Sequence, residues 1–111
     1  MSKHPQSLLG IRLRAARERA NLPQDRLGVL IGLDEGCSSA RVSRYETGVH
    51  QPPFEVAEKL AEVLGVPTAY FYCADDQIAN VLLGLADFTE GELEALQNSI
   101  RRIQKKRSVS G

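Results

Sequence analysis

The sequence predicts an all-α protein. Apolar residues recur at three- and four-residue spacing along most of the chain, which is the helical period. Breakers separate these periodic stretches: Asn21-Leu22-Pro23, Gly32, Pro52-Pro53 and Gly65. No stretch alternates apolar and polar residues as a half-buried strand would, and no internal repeat is present.

The elements follow in order. Leu8, Leu9, Ile11, Leu13, Ala15, Ala16 and Ala20 alternate with arginines, which predicts an amphipathic helix from about Ser7 to Ala20. Pro23 suits the start of a second helix, Gln24 to about Ile31, with Leu27, Leu30 and Ile31 at helical spacing and Gly32 as its left-handed stop. Ser38 or Ser39 is the expected N-cap of a third helix ending at Thr47-Gly48, so residues 33–37 read as a long turn. The segment "VHQPP" is a loop, because two prolines do not fit inside a helix. A fourth helix runs from Phe54 to Leu64, and Pro67 opens a short fifth one through Phe71. The pattern resumes with Ile78, Val81, Leu82 and Leu85. Thr89 and Glu92 then form a Thr-x-x-Glu capping box for a last helix of about Glu90 to Lys105.

Length and composition bound the function. A chain of 111 residues supports one domain with a terminal appendage, and its core must be Leu, Val, Ile and Ala, because aromatics are 5% and Trp is absent. No apolar run approaches the roughly 18 residues of a membrane span, and the N-terminus shows no secretory pattern. Cys37 and Cys73 make no disulfide framework, so a reducing cytoplasm is the expected compartment. Enzyme signatures such as G-x-S-x-G or a phosphate-cradling glycine loop are missing. His4 and His50 stand without further ligands at metal spacing, so no metal or cofactor is expected. The net charge of zero conceals segregation. Residues 1–50 hold eight Lys/Arg against five acids, residues 51–100 hold nine acids against Lys59, and residues 101–107 return five basic residues. Such asymmetry points to a polyanionic partner.

Three blocks in order, "LRAARERANLPQDRLGVLIGL", "VSRYETGVHQPP" and "AEKLAEVLGVPTAYF", resemble the phage-repressor, Cro-like helix-turn-helix regulators of the xenobiotic-response-element type. The resemblance spans about Leu8 to Phe71. It implies a five-helix, lambda-repressor-like DNA-binding domain over residues 7–72, followed by one or two helices in a C-terminal extension, residues 75–107, between flexible termini 1–6 and 108–111. One departure stands out. Gly32 and Val42 are ten apart where the family has about six, and the surplus falls at "DEGC" or its surroundings.

The resemblance assigns the third helix to the DNA major groove. It makes Ser39 and Ala40 the first groove-facing residues, with Ser43 and Arg44 further along. The resemblance makes Ser38 the N-cap and Gln24 a phosphate contact. Ser38 at the helix start is counted with the phosphate contacts, Arg41 is placed there by its rotation about the helix, and His50 by its position near the backbone of bound DNA. Val42 and Tyr45 would face the core, and Arg17 and Glu46 match a pair that forms an internal salt bridge. Physical chemistry favours the same roles: helix N-terminal residues reach base edges in the groove, and an arginine bonds guanine in bidentate fashion. Asp34 and Glu35 must point aside or toward the positive end of the third helix, since carboxylates near DNA are repelled. Cys37 is either a redox-responsive thiol or a small residue tucked into a turn.

Leu93, Leu96, Ile100 and Ile103 form an apolar seam shorter than two heptads. It either packs back onto Ile78, Val81 and Leu82 or makes a homodimer interface. The dimer is favoured because one recognition helix reads too few base pairs. Two function classes follow: a sequence-specific double-stranded DNA-binding regulator, a repressor acting by promoter occupancy on a near-palindromic operator; or a protein-interaction adaptor such as an antitoxin. No small-molecule effector is expected at this length.

Overall fold

The computed structural model describes residues 7–110, with side chains through residue 108; the segment 1–6 and residue 111 lie outside the described residues. The described residues form six α-helices and one 3-10 helix and no strand: α1 (Leu8–Arg19), α2 (Gln24–Leu30), α3 (Glu35–Thr47), α4 (Phe54–Leu64), the 3-10 helix Thr68–Tyr72, α5 (Asp76–Gly84) and α6 (Glu90–Ser110).

Local chemistry sets each boundary. The Ser7 hydroxyl accepts from the Gly10 N–H and caps α1. Gly32, Gly48 and Gly65 carry φ of 98°, 84° and 68° after α2, α3 and α4, a conformation glycine adopts without a Cβ clash. The Asp75 carboxylate caps α5 by accepting from the Ile78 N–H at 2.9 Å. The capping box at α6 is complete: Thr89 Oγ1 accepts from the Glu92 N–H, and Glu92 Oε1 accepts from the Thr89 N–H.

Two boundaries differ from the sequence expectation. α3 begins at Glu35, not after Ser38. Asp34 occupies the N-cap position, the Cys37 N–H already bonds the Asp34 carbonyl, and Glu35 sits in the first turn where an acid suits the positive helix end. The expected long turn at residues 33–37 is therefore a short connection plus one extra helical turn. The tail at the other end of the chain is also helical, through Ser110. Its arginines and lysines are good helix formers, and cations stabilise a helix C-terminus.

The core gathers Leu9, Leu13 and Ala16 of α1, Leu27 of α2, Val42 and Tyr45 of α3, and the α4 face Ala57, Leu60, Ala61 and Leu64 around Phe71. Burying one such side chain stabilises by roughly 1.5–3 kcal/mol. α3 is seated closely because two glycines admit it. A Cβ on Gly10 would lie 2.3 Å from the Glu46 carbonyl oxygen, and one on Gly28 would lie 2.3 Å from the Ser38 Cβ. Ala79 and Leu82 attach α5 to this core. α6 stands off it, which helps stretch the molecule to 58 Å by 31 Å by 23 Å.

Gly28→Ala must push α2 and α3 apart. Overpacking of this kind costs about 1–3 kcal/mol, and urea unfolding should show the loss as a lower midpoint with an unchanged slope.

Candidate nucleic-acid interface

The helical period divides α3 into two faces. Ser38, Val42, Tyr45 and Glu46 are buried, whereas Gly36, Ala40, Arg44 and the flanking Ser39 are exposed and Ser43 is half-buried. The outward face is thus a strip of small residues with one long cation toward its C-terminal end. Arg41 is half-buried to one side. Such a face has the width to enter a DNA major groove and carries donors for base edges and phosphates.

A buried polar network fixes the helix from behind. The Arg17 guanidinium on α1 donates through Nε to Glu46 Oε2 and through Nη2 to Glu46 Oε1 at 3.2 Å. Its Nη1 donates to the Leu22 carbonyl at 2.9 Å, tying the α1–α2 break into the same cluster. Gln24, the first residue of α2, donates Nε2 to Glu46 Oε1 at 3.1 Å. One carboxylate on α3 therefore receives donors from α1 and α2. The hydrogen bond from Arg17 to Glu46 raises the Arg17 pKa above its ordinary value; partial burial opposes that, and the charges of Glu46 and Glu18 add to it.

The residues singled out in the sequence fall into distinct places. Ser39, Ala40 and Arg44 are on the open face of α3, and His50 is exposed just beyond its end, its N–H bonded to the Arg44 carbonyl. Ser38 is a correction. It is neither an N-cap nor a phosphate ligand, because it lies inside the lengthened helix at 0% exposure and its hydroxyl donates to the Asp25 carbonyl at 2.9 Å. Asp34 and Glu35 sit at the N-terminal end of α3, both exposed. Cys37 is also exposed there, not tucked into a turn. No group of three or more metal-ligating side chains occurs among the described residues, and no described helix is long and apolar enough to cross a membrane.

Arg12 is a residue that sequence reasoning missed. Only 8% exposed, it donates to the Cys73 carbonyl at 2.9 and 2.8 Å and to the Ala74 carbonyl at 3.3 Å. It also pairs with Asp76 at 3.0 Å, and its guanidinium lies 5.6 Å from the centre of the Tyr70 ring. Arg12 thus clasps the start of α5 to α1. The signal was its register: it lies between Leu9 and Ala16 on the core-facing side of α1.

On α6 the apolar seam is open. Leu93, Ile100 and Ile103 are 38%, 45% and 60% exposed, and only Leu96 is partly covered. Packing back onto α5 is not what the chain does, and Ile78 and Val81 are likewise exposed.

Comparison with known proteins agrees with this geometry. Residues 8–70 match the family model described as a helix-turn-helix domain. Among solved structures, the crystal structure of transcriptional regulator BswR is similar with a TM-score of 0.78 and 42% sequence identity, covering 84% of this chain and 92% of that one. No curated protein matches.

Arg17→Ala leaves the nearly buried Glu46 carboxylate without its cation. Breaking a buried pair in this way costs roughly 3–5 kcal/mol, so a thermal melt should fall well below that of the parent chain, and an unchanged melt would remove the pair from the stability argument.

Proposed function

Because this chain belongs to the helix-turn-helix domain family, we propose that it is a sequence-specific, double-stranded DNA-binding transcriptional regulator that reads the major groove with the outward face of α3. The observation that carries the reading is that face itself. Ser39, Ala40 and Arg44 are left uncovered on a helix whose reverse side is locked to α1 and α2 through Glu46. The likeness to a protein described as a transcriptional regulator supports it.

In this reading Arg44 bonds a guanine edge, Ala40 meets a thymine methyl, and Ser39 and Ser43 add short-range hydrogen bonds. Arg41 and His50 lie against phosphates. Gln24 joins them with the second N–H of its amide, since one is held by Glu46. The extra N-terminal turn of α3 carries Asp34 and Glu35, whose charge is repelled by phosphate, so the helix enters the groove with that end tilted away. The action is repression by occupancy at a promoter, in the cytoplasm, and it involves binding without catalysis. A homodimer places two copies of α3 on half-sites about 34 Å apart on a near-palindromic operator, with the open seam of Leu93, Leu96, Ile100 and Ile103 as the interface. The same open seam is what favours the rival reading, an adaptor or antitoxin that binds another protein. Co-purification with a stoichiometric partner, and no retention on a DNA column, would decide for the rival.

Selection from a random duplex library tests the reading. The expected result is a single enriched motif with two-fold symmetry, bound less tightly as salt rises. Arg44→Ala should relax the preference at one base pair per half-site, a loss of about 1–3 kcal/mol of discrimination there, while Arg41→Ala should weaken all sequences alike. A library recovered without any enriched motif would overturn it.

A further inference from the structure

We infer, resting on the homodimer reading above, that α6 pairs with α6 of a second copy in antiparallel orientation, centred between Gln97 and Ser99. Leu93, Ile100 and Ile103 leave an exposed apolar seam along α6, with Leu96 partly covered between them, and an exposed apolar strip of this kind suits a partner surface. Charge decides what does. The N-terminal half of α6 carries Glu90, Glu92 and Glu94, and the C-terminal half carries Arg101, Arg102 and Lys105. A parallel pair would set acids beside acids and bases beside bases. An antiparallel pair sets each acidic half along the basic half of the other copy.

The register follows from the seam. Leu93 packs against Ile103 of the second copy, and Leu96 against its Ile100. Seven-residue steps place Glu92, Ser99 and Lys106 along one flank of the seam. With the copies antiparallel, Glu92 lies beside the second copy's Lys106, and Ser99 meets the other Ser99 at the two-fold axis. The opposite flank brings Gln97 to its own counterpart. The residues that must tolerate contact with themselves are thus uncharged, and the flank contact farther out is between opposite charges. A seam this short gives a reversible pair, dependent on protein concentration.

Sedimentation over a concentration series tests the arrangement on the full chain. Glu92→Lys and Lys106→Glu should each weaken dimerisation about tenfold or more, because two contacts per dimer turn from attraction to repulsion. The double variant should recover association close to that of the parent. Glu92 also accepts the Thr89 N–H in the capping box, so Glu92→Gln, which keeps the cap, separates loss of charge from fraying of α6. Its effect should be smaller than that of Glu92→Lys. Unchanged association in both single variants, a double variant no better than the singles, or a parent chain that stays monomeric at every concentration would each overturn the inference. Binding to a duplex with one half-site is read alongside. It should be equal in all variants, and its loss of sequence preference would count against the reading of α3 and not against the pairing of α6.

Discussion

Everything in this domain is arranged around one buried carboxylate. Glu46 lies on the inner face of α3, where an uncompensated charge would be costly, and it is surrounded by donors from Arg17 on α1 and Gln24 on α2. Arg17 extends the cluster to the Leu22 carbonyl, so the break between the first two helices is held by the same side chain. The geometry of three helices thus hangs on a few oriented hydrogen bonds. Apolar contacts around Val42 and Tyr45 supply bulk stability, but they are not directional. The polar cluster specifies the rotation of α3 about its own axis. That rotation decides which residues face outward.

Close approach is the second constraint, and it works with the first. Gly10 and Gly28 leave no side chain where α1 and α2 cross α3, and their missing Cβ positions are occupied by the Glu46 backbone and Ser38. Ser38 fills its place completely and bonds the Asp25 carbonyl. The backbone of α3 is therefore clamped at its start by Ser38 and near its end by Glu46. In the proposed role of α3, a contact surface of small residues needs such a clamp, because short side chains cannot bend to correct a misplaced helix.

Most of the fold was legible in the sequence, because apolar period and breakers are local signals. Helices α1, α2 and α4 lie where Leu13, Leu27 and Leu60 and the flanking glycines and prolines put them. The start of α3 was not legible. "LDEGCSS" holds two serines that are good N-caps, and an acid, a glycine and a cysteine that suit a loop. Local propensity favoured capping at Ser38, whereas the fold placed that serine under α2, where its hydroxyl satisfies Asp25. A tertiary contact overrode a local preference, and the inserted residues became an added turn of helix. Arg12 was obscured for a related reason. An arginine on a core-facing register reads as noise until the carbonyls of Cys73 and Ala74 appear beside it.

That arginine bears on how the two parts of the molecule act together. α5 is attached to the domain by Ala79 and by the Arg12 clasp at its start, while α6 contributes no residue to the buried core among the described residues. The clasp donates to backbone carbonyls, so it restrains the path of the chain into α5 and not only a side chain. Asp76, at the first turn of α5, adds a charge to the same guanidinium. In the dimer proposed above, the geometry of the α6 pair would reach α3 along this path. Beyond α5 the chain passes through residues 85–89, where the Leu85 carbonyl accepts from the Phe88 N–H before the capping box of α6 begins at Thr89. In the proposed reading, the orientation of α3 thus depends on Glu46, and the placement of two copies relative to each other depends on the short segment beyond α5.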